Sequence, residues 1–150
     1  MKRSSPGMVM NLLAAAAACF GLMQYFTNAG TTYFKGLGTN PAVIGAAATA
    51  IAALIVWTLI GEANPTWKDI LPIAAPALLM FALLTLVNSR VNGIAAIMTF
   101  ENNAANMADL QSAIVAIGAL AAAALLACLA AFFSVKKYVF MSVIRSSGPN

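Results

Sequence analysis

The feature that most constrains this chain is a run of 26 residues without a charged side chain, at positions 110–135. As an α-helix this run would be roughly 39 Å long, which exceeds the roughly 30 Å hydrocarbon core of a bilayer. Asp109 precedes the run and Lys136 and Lys137 follow it, and charges of these signs suit the two ends of a membrane-spanning helix. The run therefore predicts an integral membrane protein.

The composition of the whole chain supports the same class. Hydrophobic residues make up 62% of the 150 residues and charged residues 8%, with a mean hydropathy of +0.89, whereas a soluble domain carries about 25% charged residues. The net charge of +4 comes from a few basic residues beside apolar segments, which argues against nucleic-acid binding. There is no His, and Cys19 and Cys128 lie in apolar runs. We therefore predict no cofactor, metal site or disulfide, and two buried cysteines.

The apolar segments predict an all-α fold, a polytopic transmembrane helical bundle that forms a single membrane domain over residues 1–150. Four spans are expected, at about residues 8–28, 41–60, 70–88 and 110–135. The first segment has a basic start and an alanine-rich stretch that also suit a cleaved signal peptide, but its apolar character continues through Phe26 and favours a span. In the connection at 29–40, Tyr33 and Phe34 suit the membrane–water interface.

Residues 89–108 form the most polar part of the chain between spans. Arg90 and Glu101 lie there among several asparagines, and the apolar stretch inside it is too short to cross a bilayer. This pattern predicts a short interfacial or re-entrant helix near residues 93–100. The alternative is that the third helix continues to Phe100, which would bring Arg90 toward the bilayer.

The distribution of basic residues predicts the orientation of the chain. Four spans place both termini on one side of the membrane, and six basic residues fall on that side against two on the other. The positive-inside rule then makes the chain N-in/C-in, with both termini cytoplasmic. The alanine-rich composition favours a bacterium and its inner membrane. The six residues are Lys2, Arg3, Lys68, Lys136, Lys137 and Arg145, and the other two are Lys35 and Arg90.

Enzymatic chemistry is not predicted. A general acid–base pair needs titratable groups that converge, and the four carboxylates fall at span ends, two on each side. None of the predicted spans carries the ionisable residue that ion-coupled transporters usually need. Gln24 and Asn28, four residues apart on one face of the first span, are candidates to bond a neighbouring helix or to line a wet path. Small residues three or four apart in the second span would let another helix approach closely.

We therefore predict a non-enzymatic integral membrane subunit of a larger membrane protein assembly. Its expected partners are other integral membrane proteins, copies of itself and the lipid bilayer, with docking through residues 89–108 and a C-terminal helix extension. The alternative is a homo-oligomeric channel or holin-like pore, and the third possibility is a small-solute transporter. Candidate docking side chains are Arg90, Glu101, Asn102 and Asn103, and candidate ligands of lipid head groups are Lys136, Lys137 and Arg145.

Overall fold

The computed structural model describes residues 6–60 and 70–133, and this part of the chain is helical. Each of its four α-helices is long and apolar enough to cross a membrane, which confirms the predicted all-α fold with four candidate spans. A short 3₁₀ helix lies between the first two. The elements are α1 (Pro6–Gly30), the 3₁₀ helix (Lys35–Leu37), α2 (Pro41–Ile60), α3 (Leu71–Thr99) and α4 (Ala104–Ala131).

The observed helix bounds differ from the predicted spans mainly at α3 and α4. The second span agrees at both ends, and α1 extends two residues beyond its prediction on each side. Helix α4 begins six residues earlier than predicted because the side-chain oxygen of Asn103 accepts a hydrogen bond from the backbone N–H of Asn106 at 2.9 Å. The predicted end of this span at 135 and the C-terminal helix extension lie outside the described residues.

The separate short helix predicted near residues 93–100 is absent, since residues 93–99 are the last turns of α3. Of the polar residues that suggested a break, Asn88 and Asn92 are exposed, whereas Arg90 is buried. The helix continues because its inner face, which includes Arg90 and Ile97, packs on other parts of the protein. Helix α3 is therefore 29 residues long, or about 44 Å.

Neighbouring helices pack antiparallel, as the contacts of α1 with α4 show. Asn28 meets Ser112, Gly21 lies against Leu120, and Gly7 lies against the backbone of Phe133. Helix α1 also contacts α2, and α3 contacts both α2 and α4, so the four helices form a closed ring. The ends of α1 and α3 and the starts of α2 and α4 therefore lie together, and we call this the loop end of the bundle.

Small side chains fill the centre of the bundle. Alanine dominates the core, and leucines fill the spaces between the alanines. Because a buried alanine is short, the helix backbones approach closely and gain van der Waals contact along their length. The fully buried members include Ala14, Ala18, Ala47, Ala50, Ala75, Ala82, Ala116, Ala123, Leu79 and Leu120.

The outer surface carries large apolar side chains, as expected where a helix faces lipid. Phe20 and Phe26 on α1, and Phe81 and Leu84 on α3, are each about half exposed or more. The two cysteines also lie on this outer surface, since Cys19 and Cys128 are free and exposed. The prediction that both are buried was therefore wrong, because the apolar runs of this chain have an outer as well as an inner face.

Candidate functional site

The loop that joins α1 to α2, residues 31–40, folds back over the bundle at the loop end. Its anchor is Phe34, which is fully buried in a second apolar cluster with Ile97 of α3 and with Leu110 and Ala113 of α4. Gly93 makes room for this ring, because a Cβ atom at that position would lie 2.8 Å from Cε1 of Phe34. The Phe34 ring therefore packs on protein and is not exposed to lipid or water.

Arg90 is the largest fully buried side chain in the described residues, with only 1% of its surface exposed. Its Nη2 donates a hydrogen bond to the carbonyl oxygen of Gly38 in the 31–40 loop at 2.7 Å. Its guanidinium carbon lies 5.4 Å from the ring centres of both Tyr25 and Phe34. Two aromatic rings thus partly replace the water that a cation loses on burial.

Arg90 was predicted to dock a partner, but its side chain lies inside the bundle, in the wall of a cavity, and not on the outer surface where a partner protein would rest. The sequence suggested an exposed side chain because Arg90 lies in the most polar stretch between spans. In the structure the 31–40 loop covers it, and its Nε atom is buried without a hydrogen-bond partner. Arg90 is therefore an interior cation that joins α3 to α1 and to the loop.

A second polar cluster joins α1, the loop and the start of α4. Asn28 Nδ2 donates to Ser112 Oγ at 3.0 Å and to the carbonyl oxygen of Asp109 at 3.3 Å. Asp109 Oδ2 in turn accepts a hydrogen bond from the backbone N–H of Tyr33 at 2.9 Å. Asp109 was expected to lie at the N-terminus of the fourth helix, where its charge would act on that end. Because α4 begins at Ala104, its carboxylate instead holds the 31–40 loop in place.

The remaining docking candidates lie in the connection between α3 and α4. Glu101, Asn102 and Asn103 are all exposed, although Asn103 caps α4 and the carbonyl oxygen of Glu101 accepts a bond from Asn106 Nδ2 at 2.9 Å. Hydrogen bonding to the Glu101 carboxylate raises the pKa of the Tyr33 hydroxyl above its ordinary value of 10.0, and desolvation and the charge of Glu101 act in the same direction.

The other predicted residues are distributed as follows. Gln24 is half-buried, and the side-chain hydrogen bonds from α1 to α4 come from Asn28 instead. The candidates for lipid head groups, Lys136, Lys137 and Arg145, lie outside the described residues. Within residues 6–60 and 70–133, no group of three His, Cys, Asp or Glu side chains could hold a metal ion.

The roles of three residues that shape the loop end were not recognised from the sequence: Tyr25, Gly38 and Asp109. Tyr25 is fully buried, and its hydroxyl oxygen accepts a hydrogen bond from the backbone N–H of Asn40. Gly38 has a φ of 60°, which suits glycine and turns its carbonyl toward Arg90. The sequence offered one indication of this cluster: Arg90 and the aromatic residues Tyr25, Tyr33 and Phe34 all fall near span ends on the same predicted side of the membrane.

A cavity of about 330 Å³ opens beside Arg90 at the start of α2. It is bordered by α1, α3 and the second half of the 31–40 loop. The residues that line the cavity are Tyr25, Leu37, Gly38, Thr39, Asn40, Pro41, Ser89 and Arg90.

Comparison of the chain with protein-family models, with curated proteins and with solved structures finds no match.

Proposed function

We propose that this protein is a non-enzymatic integral membrane subunit that docks, through the outer face of α2, on a membrane helix of a different protein. The proposal places the chain in a bacterial inner membrane with both termini cytoplasmic. The loop end, which carries Lys35 and Glu101, then faces away from the cytoplasm. The observation that carries the proposal is the contrast between this face of α2 and the outer faces of α1 and α3.

Between residues 42 and 52 of α2, every side chain classed as exposed is small. Gly45 is exposed, and a Cβ atom at this position would meet nothing within 4 Å. Thr49 donates its hydroxyl to the carbonyl oxygen of Gly45 at 2.7 Å, so its donor is already used. The result is a flat apolar surface on which another helix backbone can lie closely. Its other exposed members are Ala42, Ala48 and Ala52.

Large side chains cover the corresponding outer faces of α1 and α3, where Met23, Ile73 and Leu84 are each more than 60% exposed. Such side chains suit lipid, since acyl chains adapt to an irregular surface. A smooth face gains little from lipid but much from a rigid neighbouring helix, because close packing drives helix association in membranes.

A different protein suits this surface better than a second copy. Two copies in one membrane would pair in parallel, and the exposed Lys35 just before α2 would then meet its equivalent at the same end of the contact. This repulsion is modest for exposed groups, but a different partner avoids it. The exposed α3–α4 connection, where Phe100 is 90% exposed beside Glu101, is a second surface on which such a partner could rest.

Replacing Gly45 with leucine tests the proposal. The new side chain has open space around it, so we expect the bundle to fold normally while the small face is blocked. The measurement is affinity purification from the protein's own cells in mild detergent, followed by quantification of every co-purified membrane protein. We expect one protein to be present in stoichiometric amount with the wild type and to fall about tenfold or more with Gly45→Leu.

The matched control is Gly118→Leu, since Gly118 is also exposed on a helix and a Cβ atom added there would meet nothing within 4 Å. This variant should retain the partner. A purified ring of identical chains, with no other protein, would overturn the proposal and favour a homo-oligomeric channel. Solute or ion flux in liposomes that contain only this chain would also contradict the accessory role.

A further inference from the structure

The charge of Arg90 is unmatched in the described part of the chain. Its hydrogen bond goes to a neutral carbonyl group and its ring neighbours are uncharged, while Nε has no partner at all. Across residues 6–60 and 70–133 there are two carboxylates, Glu101 and Asp109, and neither forms an ion pair with Arg90. Asp109 instead accepts a hydrogen bond from the backbone N–H of Tyr33. A buried cation with an unsatisfied donor is costly unless an anion joins it.

The cavity beside Arg90 has room for such an anion. Its volume is about 330 Å³, whereas a single water molecule needs only roughly 10–15 Å³ by the same measure. Arg90 lines this cavity together with hydroxyl-bearing residues from three parts of the chain, namely Tyr25 on α1, Ser89 on α3 and Thr39 in the 31–40 loop. The unpartnered cation and the open volume therefore lie at the same place.

The other groups around the cavity also favour negative charge. The Tyr25 oxygen accepts a hydrogen bond from Asn40, and its own proton is donated to no residue in the described part of the chain. Helix α2 begins at Pro41, on the wall of the cavity, so the positive end of its dipole is directed there. The N–H group of Ala42 is already capped by Asn40 Oδ1 at 2.9 Å, so side chains rather than free N–H groups would bind the ligand.

We propose that this cavity binds a phosphate group, with Arg90 as the charged ligand and Tyr25 as a hydrogen-bond donor. A guanidinium group matches the oxygen geometry of phosphate better than an ammonium group does. The cavity lies where α2 begins, which is the level of the lipid head groups if α2 crosses the bilayer as proposed. The phosphate can therefore belong to a phospholipid head group or be free in solution. The inference does not depend on whether α2 docks a partner.

The experiment separates these two sources of phosphate. For the lipid source, the protein is reconstituted in nanodiscs of phosphatidylcholine with one fifth phosphatidylglycerol, and lipid retained after extraction is counted by native mass spectrometry. For the free source, the detergent-purified protein is titrated with inorganic phosphate at constant ionic strength, and the thermal midpoint is recorded. If the ligand is a lipid, we expect the first measurement to find one retained lipid per chain. If it is free phosphate, we expect the thermal midpoint to rise with phosphate concentration and then to level off.

Arg90→Gln should weaken that binding by about tenfold or more, because the only charged ligand is lost. Lys35→Gln is the matched control: it removes the same charge at the same end of the bundle from an exposed side chain, and it should bind like the wild type. Tyr25→Phe keeps the ring beside Arg90 and should weaken binding several-fold. This variant replaces Arg90→Gln in the test if Arg90→Gln does not fold.

The outcomes decide the proposal in each direction. Retained lipid that is lost with Arg90→Gln but not with Lys35→Gln supports a head group as the ligand, and saturable binding of inorganic phosphate alone supports a free anion. Wild-type protein that neither retains lipid nor responds to phosphate overturns the proposal without any variant. An equal loss with Lys35→Gln, or stabilisation by acetate and not by phosphate, also overturns it.

Discussion

Replacing Gly21 with leucine is expected to lower the free energy of unfolding of the bundle by about 1–3 kcal/mol. A Cβ atom at Gly21 would lie 3.0 Å from Cγ of Leu120, and 3.2 Å from the backbone nitrogen of the same residue. The nitrogen belongs to α4 and cannot move without the helix. The added side chain would therefore force α1 and α4 apart along their antiparallel contact, where small residues let the two backbones lie close together.

Thermal unfolding in detergent, followed by circular dichroism, measures this effect. Gly118→Leu is the control, because it introduces the same side chain into a helix at an open position. Its midpoint should stay at the wild-type value or rise, since leucine favours a helix over glycine by about 1 kcal/mol. Equal midpoints for the two variants would show that α1 and α4 do not pack as described.

Replacing Asp109 with alanine is expected to release the 31–40 loop. The carboxylate is the acceptor for the backbone N–H of Tyr33, and this acceptor is lost once the side chain is shortened. An unsatisfied partly buried donor costs about 1–3 kcal/mol. Phe34 and its neighbours would lose their tether, so residues 31–40 should exchange backbone hydrogen with solvent at least about tenfold faster.

Hydrogen exchange read by mass spectrometry measures the release segment by segment. Asp109→Asn keeps an oxygen acceptor and should lie between the wild type and Asp109→Ala. Gln111→Ala shortens an exposed side chain on the same helix, and it should leave exchange in this loop nearly unchanged. Uniform exchange across all four proteins would contradict the anchoring role of Asp109.

The number of helices and their membrane character could be predicted from the sequence because both depend on length and composition. A charge-free run such as 110–135 needs no knowledge of its neighbours to be recognised as a span. The bounds of α2 were predictable for a local reason too: Pro41 starts this helix, and a cluster of turn residues precedes it. These features are encoded within single segments.

The interior of the loop end could not be predicted, because it depends on contacts between distant segments. Arg90 is buried only because residues 31–40 fold back over it, which no pattern around position 90 reveals. Helix α3 continued past its polar residues because one side of it meets Phe34. The exposed cysteines were missed for a related reason, since a helix that is apolar on all sides does not show which face is inside.

Labelling of Cys19 by a charged, membrane-impermeant maleimide shows whether these helices cross lipid. Cys19 is exposed on the outer surface near the middle of α1, so only lipid can protect it. With Cys128 replaced by alanine, Cys19 should resist the reagent in opened membranes and react fully after solubilisation in denaturing detergent. A cysteine placed at exposed Asn103, in a chain without the native cysteines, should react from outside intact cells. Labelling of Cys19 in opened membranes as rapid as labelling at position 103 would show that α1 does not cross lipid.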